Sequence, residues 1–161
     1  PYPSSGVAVE TVGPAVTDAG DGAISGFDFD GTTDECLVIY SFLPSEAELA
    51  SDIEVNLAGT AAAGVSNDTL RWCVQLSTQA AGASKNTWTY GAASCVTTAS
   101  IPTNNLTFVT RVTLTNATHM GQVTVGEPFA IRICRDPADA GDTLAFDALL
   151  RTAMLTWYSV H

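Results

Sequence analysis

The chain has 161 residues, enough for one domain with a real core. Hydrophobic residues make up 46% and charged ones only 14%. That is too apolar for a disordered chain, and the abundant Thr, Ser, Ala and Gly suit strands with uncharged outer faces. The formal net charge is −11, Lys85 is the sole lysine, and Arg71, Arg111, Arg132, Arg135 and Arg151 complete the cations. No basic patch exists to neutralise phosphates, which argues against nucleic acid and against an anionic membrane surface as partners.

Residues 1–25 hold Pro1, Pro3 and Pro14 and show no sustained period. The prolines deny the stretch a regular ladder, so it reads as an extended, loosely structured N-terminal arm. Its start, "PYPSSGVAVETVG", has neither a basic region nor a long apolar one and does not read as an intact signal peptide. No run of 18 apolar residues occurs anywhere.

From Phe27 onward the punctuation is regular. "ECLVIYSFL" (35–43) reads as a buried strand ending at Pro44. "DIEVNLAG" (52–59) alternates, with Ile53, Val55 and Leu57 inward. "TLRWCVQLS" (69–77) alternates too, with Leu70, Trp72, Val74 and Leu76 on one face. "AGASKN" (81–86) is a loop and "SCVTTAS" (94–100) a short strand. "LTFVTRVTLT" (106–115) puts Leu106, Phe108, Val112 and Leu114 together, and "NATHMGQVTVGE" follows as a loop. "PFAIRICR" (128–135) turns Phe129, Ile131 and Ile133 inward and Arg132 outward, and "DPADAGD" (136–142) is turn-rich. The last segment, 144–160, mixes helix-forming Ala, Leu and Met with a β-like end, "MLTWYSV"; a closing strand suits the rest better. Seven or eight short strands without a long amphipathic helix argue for an antiparallel β-sandwich, and the uneven spacing favours jelly-roll wiring.

Cys36, Cys73, Cys95 and Cys134 form no C-x-x-C pair, which argues against zinc. A hairpin turning near Ser84 sets Cys73 opposite Cys95 and permits a disulfide between them. Four reduced thiols acting as small apolar residues fit the sequence at least as well.

Several motifs invite chemistry and fail on context. "FDFDGTT" (27–33) matches the D-x-D-G-T of haloacid-dehalogenase-type phosphotransferases, with Asp28 as nucleophile and Asp30 as acid/base, and Asp142 and Asp147 resemble that family's later acids. That motif must end an apolar parallel strand in an alternating α/β fold, and neither is present. Asp28, Asp30 and Asp34 lack the glutamate of a calcium-binding EF-hand, while Asp136, Asp139 and Asp142 offer an irregular Ca²⁺ site, against the plainer reading that Asp and Gly simply make turns there. His119 and His161 lack a nucleophile partner and read as surface residues. Asn67, Asn105 and Asn116 each open an N-x-T triplet, which a Thr-rich chain produces by chance. Among Trp72, Trp88, Trp157 and Tyr90, Trp72 alternates with core residues. Trp88 and Tyr90 sit by a loop and are the better candidates for stacking on a sugar, against a satellite core cluster as the plainer reading.

Several spaced motifs, "FDFDGTTDE" (27–35), "FLP" (42–44), "SNDTLRWCVQL" (66–76) and "THMGQVTVGEPFAIRICRD" (118–136) leading into "AGDTLAFDALL" (140–150), make the chain similar to small structural proteins of tailed bacteriophages, used as capsid decoration, fibre or tail-associated modules. Met120, Gly126, Glu127, Phe129, Arg132, Arg135, Asp136, Asp142, Thr143, Asp147 and Ala148 hold the matching places. The four cysteines and the uncharged region 78–100 depart from the pattern. The resemblance implies a non-enzymatic jelly-roll protein of the virion exterior, trimeric, with no cofactor or metal. It would dock on the major capsid protein as a decoration or cement protein, with residues 1–25 as docking arm and 26–161 as sandwich. A fibre or tail-associated module, or a carbohydrate-binding β-sandwich using Trp88 and Tyr90, is the alternative. No catalytic, cofactor-binding or metal-ligating residue is assigned.

Overall fold

The structure is a computed structural model and describes residues 7–9, 15–18, 25–42, 50–61, 67–78, 88–99, 101, 107–120 and 123–158. Ten strands are present in these residues: β1 (Val7–Val9), β2 (Ala15–Asp18), β3 (Ser25–Phe29), β4 (Glu35–Phe42), β5 (Ile53–Ala61), β6 (Arg71–Thr78), β7 (Ser94–Thr97), β8 (Thr107–Leu114), β9 (Pro128–Arg135) and β10 (Ala148–Thr156). They form two antiparallel five-stranded sheets. Sheet A has the order β1-β4-β9-β6-β7 and sheet B the order β2-β3-β10-β5-β8. The eight strands from β3 to β10 follow jelly-roll wiring: the chain changes sheet at every connection except the one between β6 and β7, and the last strand returns beside the first. The all-β sandwich expected from the alternation is the fold observed.

The period-2 pattern decides which face each strand buries. In β5, Ile53, Val55 and Leu57 are buried and the residues between them half-buried. In β6, Trp72, Val74 and Leu76 do the same. In β9, Phe129, Ile131 and Ile133 line the core opposite them. Trp72 is the centre of the packing. Its ring meets Phe29 edge-on at 5.0 Å and lies against Phe108 at 5.7 Å, the offset geometries that aromatic quadrupoles favour. The closing segment is strand β10, paired with β5 along its length and with β3 at its start. A bulge between Leu150 and Thr152 shifts its register.

Three features differ from the sequence reading. The stretch expected as a loose arm is paired at both described places. Residues 7–9 lie along β4 and residues 15–18 along β3, so β1 and β2 extend the sheets at their edges. β1 falls between Pro3 and Pro14 and β2 begins directly after Pro14, so neither contains a proline that would break its ladder. The loop after β8 contains one helical turn, α1 (Asn116–His119), with the Nδ1 of His119 accepting the Thr115 N–H. The cysteines are not thiols. Cys36 bonds Cys134 and Cys73 bonds Cys95, each pair with Cα atoms 4.1 Å apart. Both are directly opposed cross-strand partners. The loop 81–86, Leu106, Asn105, Lys85 and His161 lie outside the described residues.

Candidate functional site

The acidic motifs converge on one arginine. Arg135 continues the inward parity of Phe129, Ile131 and Ile133 and is fully buried. Its Nε and Nη2 donate to the two carboxylate oxygens of Asp142, at 3.0 and 2.9 Å. Its Nη1 donates to the carbonyls of Phe29, Asp30 and Phe146, and its Nη2 also to that of Leu144. Asp142 in turn accepts the N–H groups of Arg71 and Leu144. A planar guanidinium with five donors can tie two loops to the core in this way, and a lysine cannot.

The turn after β3 is closed by its own acids. The Asp30 carboxylate accepts from the Thr32 N–H, the Thr32 hydroxyl and the Thr33 N–H. The Thr32 hydroxyl bond, then its N–H, holds the Asp30 carboxyl below its ordinary value of 3.8. Asp147 accepts the Gly31 N–H and Glu35 the Asp30 N–H. A Cβ on Gly31 would stand 2.6 Å from the Ala145 carbonyl oxygen, so only glycine lets the two loops meet. Asp139 accepts the Gly141 N–H and faces Arg71 across 3.8 Å. Of the phosphotransferase-like and calcium-like acids, Asp30, Asp139, Asp142 and Asp147 are thus engaged in turns or by Arg135, while Asp28 lies half-buried on β3 and Asp34 is exposed. Among the described residues no group of three or more His, Cys, Asp or Glu side chains could hold a metal.

The outer face of sheet A carries a different arrangement. Leu37 and Ile39 point into the core, so Tyr40 and Phe42 of β4 point out. The extended segment 88–91 is laid on this face. The Gly91 N–H donates to the Leu76 carbonyl, and the Gln75 side chain donates to the Gly91 carbonyl. Trp88 then meets Tyr40, ring centroids 5.3 Å apart and tilted by 41°. Two residues on, Tyr90 lies under the Arg132 guanidinium at 5.7 Å, within cation–π range. Arg132 also donates to Gln75 at 3.4 Å. Outward-facing Val38, Ala130 and Ser77 are at most 2% exposed, which shows this face to be covered. The rings themselves stay partly open: Tyr40 is 37% and Phe42 60% exposed, and Trp88 and Tyr90 are half-buried. Together Tyr40, Trp88, Tyr90 and Arg132 form an aromatic shelf with one cation and, in Gln75, one amide.

Trp72 and Trp157 do not join it. Trp72 is core, and Trp157 packs against the core beside a mostly apolar cleft of about 160 Å³ between the sheets, lined among the described residues by Ile39, Ser41, Val55, Phe129 and Leu155. His119 is half-buried against Thr115, not a surface residue. Asn67 and Asn116 are exposed, and Asn67 has a positive φ of 61°. Tyr40 escaped the sequence reading although its outward parity was available. Its meeting with Trp88 is a tertiary event.

No family model and no curated protein matches the chain. A solved structure of the carbohydrate-binding module TmCBM61 in complex with beta-1,4-galactotriose is similar to it over 94% of this chain and 87% of that one, at 12% identity and a TM-score of 0.44. The expectation of a capsid decoration protein with virion partners is corrected here. No family model or curated protein supports a virion role, and the solved structure named above is that of a carbohydrate-binding module. The motifs that carried the bacteriophage resemblance, "FDFDGTTDE" and "RD…AGDTLAFD", have a physical explanation in the Arg135–Asp142 clasp.

Proposed function

We propose that this protein is a non-catalytic carbohydrate-binding β-sandwich that works in an oxidising compartment and takes sugar on the outer face of sheet A. The observation that carries the reading is the shelf: Trp88 beside Tyr40 and Tyr90 beneath Arg132, on one face of a braced sheet. A pyranose ring offers an apolar C–H face and a polar rim. Aromatic rings with few rotatable bonds take the first at low entropic cost. Gln75 and Arg132 supply an acceptor and donors for the second. The oxidising compartment rests on the two disulfides, which reducing cytosol does not sustain.

The test is binding of immobilised and soluble oligosaccharides by the intact protein, with Trp88→Ala and Tyr40→Ala beside it. Removing one stacking ring should weaken binding about fivefold or more, taking the roughly 1–3 kcal/mol of an aromatic ring stacked on a nucleobase as the scale. Binding that survives both substitutions unchanged, or a wild-type protein that takes no glycan from a broad panel, would overturn the reading.

A further inference from the structure

The four cysteines stand in one row. The strand register sets Cys36 opposite Cys134, Cys134 opposite Cys73, and Cys73 opposite Cys95. The row therefore crosses β4, β9, β6 and β7 in their spatial order. All four point outward, because the neighbours Leu37, Ile133, Trp72 and Val96 pack inward. In an antiparallel sheet the N–H and C=O of one residue face the same neighbouring strand, so narrow and wide pairs alternate across such a row. The disulfides occupy the two outer junctions, which at 4.1 Å between Cα atoms are the narrow kind. The middle junction, Cys134 to Cys73, is then the wide kind, about 5.5 Å between Cα atoms and still within reach of a disulfide.

We propose that this row is a thiol–disulfide exchange site, whose two-electron-reduced form carries a Cys73–Cys134 disulfide with Cys36 and Cys95 as thiols. The incoming reagent is a dithiol. β7 is a four-residue edge strand, so the Cys73–Cys95 bond is the approachable one. The dithiol is oxidised to its own disulfide, and Cys73 and Cys95 are left as thiols. Cys73 then loses its proton to solvent, and the thiolate attacks Cys134 Sγ. The Cys73–Cys134 bond forms as the Cys134–Cys36 bond breaks, and Cys36 leaves as a thiolate that is protonated from solvent. This second step changes no oxidation state. It needs the attacking, central and leaving sulfurs in line, as thiolate displacement at sulfur requires, and a straight row across three adjacent strands supplies that alignment. The exchange unclips β4 and β7 while keeping β6 and β9 joined. It does not depend on what the shelf binds.

The experiment is a titration of the native full chain with dithiothreitol under non-denaturing conditions, quenched with acid, alkylated, and read by peptide mapping. The two-electron species should carry label on Cys36 and Cys95 and contain the crosslinked Cys73–Cys134 peptides. Label confined to Cys73 and Cys95, label confined to Cys36 and Cys134, or simultaneous labelling of all four would each refute the exchange. The double variant Cys36→Ser/Cys95→Ser provides a second reading. Oxidised in air as a folded protein, it should lose the mass of two hydrogens as Cys73 and Cys134 join, and a folded variant that stays a dithiol would overturn the proposal. If the variant does not fold, the titration of the native chain decides alone.

Discussion

Replacing Asp142 with asparagine keeps the shape of the clasp and removes its negative charge. Both side chains of the pair are at most 1% exposed, so solvent cannot screen what is left behind. Arg135 would remain buried with its four carbonyl partners and no counter-ion. Breaking a buried pair by removing one partner costs about 3–5 kcal/mol. For a chain of this size each kcal/mol lowers the melting temperature by about 2–4 °C, which gives a fall of roughly 6–20 °C. Denaturant unfolding with both disulfides intact measures it. The companion variant Arg135→Met/Asp142→Leu separates two contributions. It removes both charges, so the charge penalty disappears. It also strips a donor from four carbonyls, each worth about 1–3 kcal/mol if left dry. Four such losses together match or exceed the charge penalty, so the double variant should recover none of the stability and fall at or below Asp142→Asn. A cost below about 1 kcal/mol for Asp142→Asn would refute the clasp as a stabilising element.

Gly59→Ala should destabilise strongly, by about 3 kcal/mol or more in denaturant unfolding, because its Cβ would stand 2.1 Å from the Leu149 carbonyl oxygen and 2.6 Å from the Phe108 ring. Removing Cys36–Cys134 by paired serine substitution should cost about 1 kcal/mol more than removing Cys73–Cys95; the first spans 98 residues and the second 22, and calorimetry of the two variants compares them. Asp30 is lowered below 3.8 in the folded chain, so its contribution to stability is present above that value and is lost as pH falls through the folded one; NMR titration of its carboxyl should show the midpoint below 3.8, and Thr32→Val should move it back up. Trp88→Ala should leave the melting temperature within a few degrees while weakening glycan binding about fivefold or more, which separates a shelf residue from a core residue.

Alternation fixed most of the sandwich in advance. Ile53, Val55 and Leu57, or Trp72, Val74 and Leu76, can satisfy an apolar core only from one face of an extended strand, and the structure buries them there. The same parity placed Arg135 inward, where a charge must find a partner. It did not reveal that the partner is Asp142, because nearby acids offered equally good spacing. The cysteines show the limit most clearly. Sequence permitted a Cys73–Cys95 bridge, but the bridge from Cys36 to Cys134 depends on β4 and β9 becoming neighbours across 98 residues.

What the sequence determined alone is therefore the class of structure: an all-β chain, its strand faces, and a net charge of −11. Local periodicity and total charge contain that much. What only the tertiary structure decided is every contact between distant strands: the jelly-roll order, the single row of cysteines, the bonding of Asp147 to the Gly31 turn, and the meeting of Tyr40 with Trp88. Strand pairing sets these, and pairing is won by the global fit of two sheets around Trp72, not by any segment's own preference.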